Sequence, residues 1–165
     1  MELVEGTATV DDVDAFVARL GEIGDAHDVT VQAFDARYVV GQEHLERARA
    51  LADRETERGE AIARDRAVEI LLYAAGRRQI NQAIEMGVDE GTTPAVVLVD
   101  GEDAADESAA AEAVRELLDP AATLGEFDRQ RVLDFFDITE TELDATDGTL
   151  ADLVCERVAL LVVER

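Results

Sequence analysis

Lysine is absent from this chain, although charged residues are abundant in it. The 15 basic residues are all arginines and face 39 acidic residues, which gives a formal net charge of −24. A surface this acidic destabilises the compact state by self-repulsion unless dissolved salt screens the charges. The acid excess, the missing lysine and the abundant alanine and valine are therefore typical of adaptation to high intracellular salt. The alternative is an acidic protein that binds cations or a basic partner.

Cysteine occurs once, at Cys155, which excludes a disulfide bond within the chain and favours a reducing compartment. The start, MELVEGTATV, carries acidic residues where a signal peptide needs basic ones. No stretch approaches the roughly 18 to 20 consecutive apolar residues that a membrane-spanning helix requires. We therefore expect a cytoplasmic protein that has no membrane partner.

Side chains suited to catalysis are scarce. The chain has one serine, Ser108, one cysteine and two histidines, His27 and His44. No base stands near the serine or the cysteine in the sequence, no metal-ligand spacing occurs, and there is no glycine-rich phosphate loop. We therefore expect no catalytic residues, no metal and no cofactor, and a structural or surface role for His44.

Three segments have the pattern of β-strands. Residues 2–9 alternate weakly, and VTVQAF at 29–34 alternates and is rich in β-branched residues. PAVVLVDG at 94–101 is a continuous apolar run, which is typical of a central strand. These strands do not alternate regularly with helices. The sequence therefore predicts one α+β domain, residues 1–165, with a small, mostly antiparallel sheet and a cluster of helices.

Apolar residues at spacings of three and four predict the helices. The first begins after Asp11 and ends at Gly21 and Gly24, and the last begins at Thr149 with a Thr-x-x-Asp capping box. The acidic stretch EDAADE is predicted to be a solvated loop. The other predicted helices cover 42–59, a segment around 68–75, a segment around 80–88, 107–118 (closed by Asp119-Pro120) and short pieces within 125–147.

Residues 37–78 are nearly neutral within this acidic chain. They hold nine arginines and eight acidic residues, whereas the rest of the chain holds six arginines and 31 acidic residues. Arg47, Arg54 and Arg58 fall close to one helical stripe, which suggests a basic binding surface. Helical ion pairs at i, i+4 explain single arginines equally well, with Glu43 opposite Arg47 and Glu60 opposite Arg64.

Two adjacent arginines follow a glycine in LLYAAGRRQINQAIEMGV (71–88), between two apolar helical stretches. Gly76 is a natural C-cap, and Arg77 and Arg78 interact favourably with the carbonyl end of the preceding helix. The same arginines open the next helix, where free N–H groups and the helix dipole favour an anion such as phosphate. Tyr73, one turn earlier, either offers a ring on which a base stacks or belongs to the core.

Concentrated salt limits which anion such a site can bind. Binding that depends on counterion release collapses at high salt, so a broad basic surface is of little use there. A small arginine site with backbone donors and a stacking ring fits the end of a single-stranded RNA rather than a duplex.

Five stretches together resemble the kinase-binding small subunit of the KEOPS complex, and the 69–88 stretch is the most specific of them. The resemblance spans essentially the whole chain, and the stretches are EILLYAAGRRQINQAIEMGV (69–88), FDARYVVGQEHLERA (34–48), PAVVLVDGE (94–102), VLDFFDITETEL (132–143) and LADLVCERVALL (150–161).

The resemblance implies a non-catalytic role. The KEOPS complex makes N6-threonylcarbamoyladenosine next to the anticodon of tRNAs, and the subunit in question binds and regulates a small kinase-like ATPase and grips the 3′ CCA end of tRNA. The residues that match the family motif, and would hold the RNA end, are Gly76, Arg77, Arg78, Gln79 and Ile80, with Tyr73 beside them. A protein-only scaffold or regulator of a kinase-like partner, with no RNA contact, is the alternative.

The last predicted helix is apolar nearly all round. Such a helix is buried on several sides, either in the core of its own domain or under a partner. Residue type alone favours the core, whereas the resemblance favours a kinase contact for part of this surface. The predicted partner-binding residues are Leu153, Val154, Leu160, Leu161 and Val162.

Overall fold

A four-stranded antiparallel sheet with helices on both faces forms the protein, for which a computed structural model describes residues 1–163. The strand order is β2-β3-β1-β4. The predicted α+β class and antiparallel sheet are confirmed. The elements in chain order are β1 (Glu2–Val10), α1 (Val13–His27), β2 (Thr30–Asp35), α2 (Gln42–Glu57), α3 (Arg66–Ala75), α4 (Ile80–Ala83), β3 (Gly91–Asp100), α5 (Ala104–Arg115), β4 (Asp119–Pro120), α6 (Arg129–Phe135), α7 (Glu140–Asp144) and α8 (Leu150–Val163), with short 3-10 turns at Ala36–Tyr38 and Ile84–Met86.

The third strand, β3, is central, as its continuous apolar run predicts. It pairs along its length with β1, from Glu2 opposite Val99 to Val10 opposite Gly91, and with β2 on its other side. The apolar side chains of residues 95–99 are fully buried on both faces because helices cover both sides of the sheet. Val97 and Val99 pack towards α1 and α5, and Val96 and Leu98 pack towards α2, α3 and α8.

The first helix continues past both glycines that were predicted to end it. It ends instead at His27, and Asp28 takes the left-handed conformation at the C-cap. Leu20 and Ile23 are buried, and this packing outweighs the low helix propensity of glycine. A Cβ at Gly24 would lie 2.7 Å from the carbonyl oxygen of Val29, so this glycine serves the close approach of the following turn.

The acidic stretch 102–107 is not a solvated loop, contrary to the prediction. The Asp103 side chain caps α5 by accepting from the amides of Ala105 and Asp106, so this helix begins earlier than expected, at Ala104, and it ends at Arg115. Glu107 is buried and accepts from the Gly101 amide at 2.8 Å and from the Met1 ammonium at 2.9 Å. Asp119 and Pro120, predicted to close the helix, form the two-residue strand β4.

The last helix begins as predicted. The Asp152 amide donates to the Thr149 hydroxyl oxygen at 3.2 Å, and the Thr149 amide donates to Asp152 Oδ2 at 2.9 Å. These reciprocal bonds are a capping box, because each side chain satisfies one free N–H group of the helix start. None of the helices within residues 1–163 is long and apolar enough to cross a membrane.

Candidate functional site

The third helix ends at the predicted glycine. Gly76 has φ +62°, a left-handed conformation that a residue with a side chain rarely adopts. Its amide donates to the Tyr73 carbonyl at 3.0 Å, and the Arg77 amide donates to the Leu72 carbonyl at 3.0 Å. The last turn of α3 is therefore closed by backbone bonds, and the C-cap prediction is confirmed.

The two arginines after the cap have different surroundings. Arg77 is half-buried, and its Nη2 donates to the Phe135 carbonyl at 2.5 Å. Its guanidinium carbon also lies 4.8 Å from the centre of the Phe135 ring, a cation–π contact. Arg78 is exposed and points into solvent at the junction. Arg77 therefore ties the end of α3 to the end of α6, and Arg78 remains accessible to a ligand.

The helix that follows the arginines is shorter than predicted. α4 has four residues and continues only as the 3-10 turn Ile84–Met86. Gln79 caps it without a side-chain hydrogen bond, and a single turn aligns too few peptide dipoles to attract an anion strongly. Ile80 and Ile84 are 52% and 56% exposed, so Ile80, one of the predicted RNA-end residues, is accessible. Any anion site here thus depends on the side chain of Arg78 rather than on a helix dipole.

Tyr73 lies in the hydrophobic core. Its side chain is 1% exposed, among residues of α2, α3 and α8. The ring therefore offers no surface for base stacking in this conformation, and of the two roles the sequence left open, the structure places it in the core.

A hollow of about 630 Å³ opens beside Arg77. It lies between α4, α6 and the 3-10 turn that follows β2. Tyr38 donates a hydrogen bond to Glu85 Oε2 at 2.9 Å across it, and Tyr38 meets the Phe135 ring edge-on, with 5.3 Å between the ring centres. Burial and this hydrogen bond raise the pKa of Tyr38. The lining residues are Tyr38, Arg77, Asn81, Gln82, Glu85, Arg131, Asp134 and Phe135.

Sequence reasoning did not single out the residues that surround Arg77 in this hollow. Tyr38 and Phe135 lie inside stretches quoted for the family resemblance, FDARYVVGQEHLERA and VLDFFDITETEL, so the signal was present in the sequence. Nothing in the spacing indicated that these stretches, almost 100 residues apart, meet at the arginine junction. The meeting depends on the packing of α6 against the 3-10 turn Ala36–Tyr38.

Two arginines of residues 37–78, Arg37 and Arg66, are held in ion pairs with nearby carboxylates. Arg66 donates to the carboxylates of Asp53 and Asp100 with bonds of 2.6 to 2.9 Å, and Arg37 donates to Asp35 from both Nε and Nη2. Hydrogen bonding to Asp53 raises the pKa of Arg66 despite burial. Burial acts to raise the pKa of Asp100, but hydrogen bonding and attraction to Arg66 bring it below its ordinary value.

The predicted helical ion pairs fare differently along this segment. Glu60 and Arg64 lie in the loop between α2 and α3, so helical spacing does not apply to them. Arg58, the C-cap residue of α2, lies 3.7 Å from Glu55. Arg47 shares a small hollow with Glu43 and Cys155, and burial raises the pKa of that thiol. Arg47, Arg54 and Arg58 are exposed along α2 and its C-cap, so the predicted stripe is present on this helix.

The last helix is mostly core. Leu153, Val154 and Leu161 are buried against α2 and α3, so in this structure they are not accessible to a partner. Leu160 is 37% exposed, and Val162 is partly buried. Leu160 lines a hollow of about 210 Å³ together with Gly76 and Arg77. The structure therefore brings the accessible end of the partner-binding set next to the arginine junction, which the sequence treated as a separate site.

The few candidate catalytic groups lie apart. Ser108 is exposed on α5, Cys155 is half-buried on α8, and His44 is fully buried beneath α3. Burial lowers the pKa of His44 to about 4, so its imidazole is neutral near pH 7. No group of three or more His, Cys, Asp or Glu side chains within residues 1–163 is arranged to hold a metal ion.

A comparison with protein families decides the ancestry of the chain. The family described as kinase binding protein CGI-121 matches residues 9–161. The chain belongs to this family. The match includes the arginine junction, the hollow beside it and nearly all of α8. CGI-121 proteins are described as kinase-binding, which agrees with the partner class that the sequence suggested. No individually curated protein matches the chain significantly.

Proposed function

We propose that this CGI-121 protein is a non-catalytic subunit of the KEOPS complex. In this role it binds and regulates the small kinase-like ATPase subunit and holds the 3′ CCA end of tRNA during N6-threonylcarbamoyladenosine formation. Membership of the kinase-binding family supports the kinase-like partner. One observation supports binding of the RNA end: Arg78 is accessible beside a fixed Arg77 and a hollow between α4 and α6.

The shape and charge of the junction favour a short, single-stranded ligand. A duplex needs an extended basic surface, whereas Arg37, Arg58 and Arg66 of this segment are each held in local ion pairs. An unpaired RNA end can insert bases into a hollow while one or two phosphates meet arginine. We further propose that the protein works in a cytoplasm of high salt, where such shaped contacts persist better than diffuse attraction.

Removing the CCA end from tRNA is expected to abolish binding to this protein. The measurement is the dissociation constant of full-length tRNA and of the same tRNA trimmed of CCA, each in about 1 M KCl, where long-range attraction is screened. The Arg77→Glu/Arg78→Glu variant should bind full-length tRNA roughly 100-fold or more weakly than the parent, since two attractive contacts become repulsive.

A matched control for that variant is Arg19→Glu/Arg115→Glu. It makes the same charge change on two exposed arginines of α1 and α5, the helices on the opposite face of the sheet. It should bind tRNA nearly as the parent does. Equal binding of trimmed and full-length tRNA would refute the CCA site, and no binding of either would favour the protein-only scaffold.

The kinase-like partner is expected to contact the accessible part of α8. Leu160→Glu should weaken binding of the kinase-like ATPase by at least about tenfold without lowering the melting temperature, because Leu160 is 37% exposed. Val162→Glu, at a partly buried position, tests the same surface. Val17→Glu is the matched control, since Val17 is 58% exposed on α1. Unfolding of the Leu160 variant, or undiminished binding, would contradict an interface at this position.

Regulation without catalysis is the remaining part of the proposal. The exposed Ser108, the half-buried Cys155 and the buried, neutral His44 lie on different elements, so they do not form a nucleophile with an adjacent base. The protein would therefore act by positioning the RNA end and its partner. Addition of the purified chain should stimulate ATP hydrolysis by the partner, and the chain alone should hydrolyse none.

A further inference from the structure

Arg77 and Arg78 are neighbours in the sequence but are not equivalent as ligands for RNA. The guanidinium group of Arg77 donates to the Phe135 carbonyl at 2.5 Å, and its carbon lies 4.8 Å from the centre of the Phe135 ring. Arg78 is exposed, and within residues 1–163 its side chain makes no hydrogen bond or ion pair. One arginine is therefore fixed in place by the protein, and the other is free to follow a phosphate.

The fixed guanidinium group borders the hollow beside α4. Its carbon lies 4.8 Å from the centre of the Phe135 ring, and Arg77 is only half-buried and lines the hollow. Turning Arg77 towards a phosphate would break both the hydrogen bond to Phe135 and the ring contact. A base can instead stack on the guanidinium plane without disturbing either contact, as unpaired RNA bases do on arginine.

The charges in the hollow also favour a base over a phosphate. Arg77 and Arg131 line it together with two carboxylates, Glu85 and Asp134, so its net charge is close to zero. The carboxylates repel a phosphate but accept hydrogen bonds from base amino groups. The hollow's volume of about 630 Å³ lies within the range of sites that enclose a small ligand.

We propose that Arg77 is a stacking platform for one unpaired base of the RNA end and that Arg78 pairs with an adjacent phosphate. This inference rests on the proposed function, because it concerns the same RNA end. It divides the work of two residues that the sequence suggested as joint phosphate ligands. Arg77 acts through its face, preorganised by Phe135, and Arg78 acts through its charge.

Abasic RNA tests this division of work. The ligands are a short RNA that ends in CCA and three copies of it, each lacking the base of one of the three last nucleotides but keeping every phosphate. The proteins are the parent, Arg77→Lys and Arg78→Ala. We expect one abasic position to weaken binding by the parent by roughly tenfold, the usual worth of one stacked base.

The decisive result is the coupling between protein and RNA changes. Arg77→Lys keeps the charge but loses the planar group, so it should bind the intact RNA more weakly than the parent by a similar factor. Its affinity should fall little further when the RNA also lacks the base that stacks on Arg77. Arg78→Ala should weaken the intact and abasic RNAs equally and reduce the slope of log K against log[salt] by about 0.7, as loss of one phosphate contact does for a single strand. Arg77→Lys should leave that slope unchanged.

Separate outcomes identify what has failed. If the loss of affinity caused by Arg77→Lys is the same for the intact RNA and for each abasic RNA, Arg77 does not stack on a base, although the proposed function survives. If the parent does not bind intact RNA, both the proposed function and this inference are overturned. Arg77→Gln keeps a planar side-chain group but removes the charge, so it repeats the test without charge if the lysine variant has a lowered melting temperature.

Discussion

Lowering the KCl concentration from about 2 M to about 10 mM is expected to reduce the melting temperature of this protein by on the order of 10 to 20 °C. The chain carries a net charge of −24, and most of its acidic side chains are exposed. At low salt the Debye length grows to about 30 Å, so carboxylates across the whole surface repel one another, whereas in molar salt it is about 3 Å. The measurement is thermal unfolding at several KCl concentrations at one pH.

A variant with fewer charges separates screening from other effects of salt. Asp11→Asn/Asp25→Asn/Glu57→Gln/Glu90→Gln neutralises four exposed carboxylates that make no ion pair or side-chain hydrogen bond within residues 1–163. It should unfold at a higher temperature than the parent in low salt and at a similar temperature in molar salt. Cooperative unfolding of the parent in low salt, with no loss of melting temperature, would contradict the proposed adaptation to salt.

Replacement of His44 by alanine is expected to cost about 3 kcal/mol of the free energy of unfolding at pH 7. The imidazole is fully buried, and its Nε2 donates to the Ala74 carbonyl at 2.8 Å while its Nδ1 accepts from the Val40 amide at 3.3 Å. Alanine leaves both backbone groups without a partner and leaves a cavity beside the Phe136 ring, which packs edge-on against the imidazole. Denaturant unfolding of parent and variant in molar KCl measures the difference.

The same histidine predicts acid sensitivity. Burial lowers its pKa from 6.5 to about 4 in the folded state, so the unfolded chain binds this proton at a higher pH than the folded chain does. The contribution of His44 to the free energy of unfolding is therefore fully present above pH 6.5. It is lost as the pH drops to about 4, by about 3 kcal/mol in total. Carboxylates whose pKa is lowered in the fold, such as Asp100, lose their contribution only at lower pH.

A variant without an ionisable group at position 44 is the control for this pH dependence. His44→Asn should unfold with a flatter pH profile than the parent between pH 6.5 and 5, the part of the window above the carboxylates. Parallel profiles for the two proteins in this range would show that His44 does not carry the effect. Because the Ala74 carbonyl lies two residues before Gly76, the His44→Ala variant also tests whether this bond supports the arginine junction.

The sequence predicted best those elements whose signal is local or continuous. The apolar run of β3 is long enough to need burial on both faces, and it became the strand between β1 and β2. The Thr149 capping box and the Gly76 C-cap each involve residues within about one turn, so residues close in the sequence determine them. The prediction of the antiparallel sheet followed from strands that do not alternate with helices.

The wrong predictions share one cause, which is competition from contacts distant in sequence. Gly21 and Gly24 weaken a helix locally, but α1 persists because Leu20 and Ile23 pack on the sheet. The helix predicted around 80–88 is only one turn, Ile80–Ala83, followed by a 3-10 turn, and within it Ala83 and Met86 are buried. Glu107 looked like part of a solvated acidic loop because its partners, Gly101 and the Met1 ammonium, are not recognisable from its neighbours.

The sequence by itself determined the charge balance, the α+β class, the Gly76 and Thr149 caps and the position of two arginines after a glycine. These follow from composition and from interactions within a few residues, which need no knowledge of the fold. Only the tertiary structure decided that Phe135 fixes Arg77 while Arg78 stays free, that Tyr73 is core, and that Leu160 alone of the α8 leucines is exposed. Burial and pairing between distant segments depend on how α3, α6 and α8 pack together, and no local pattern specifies that packing.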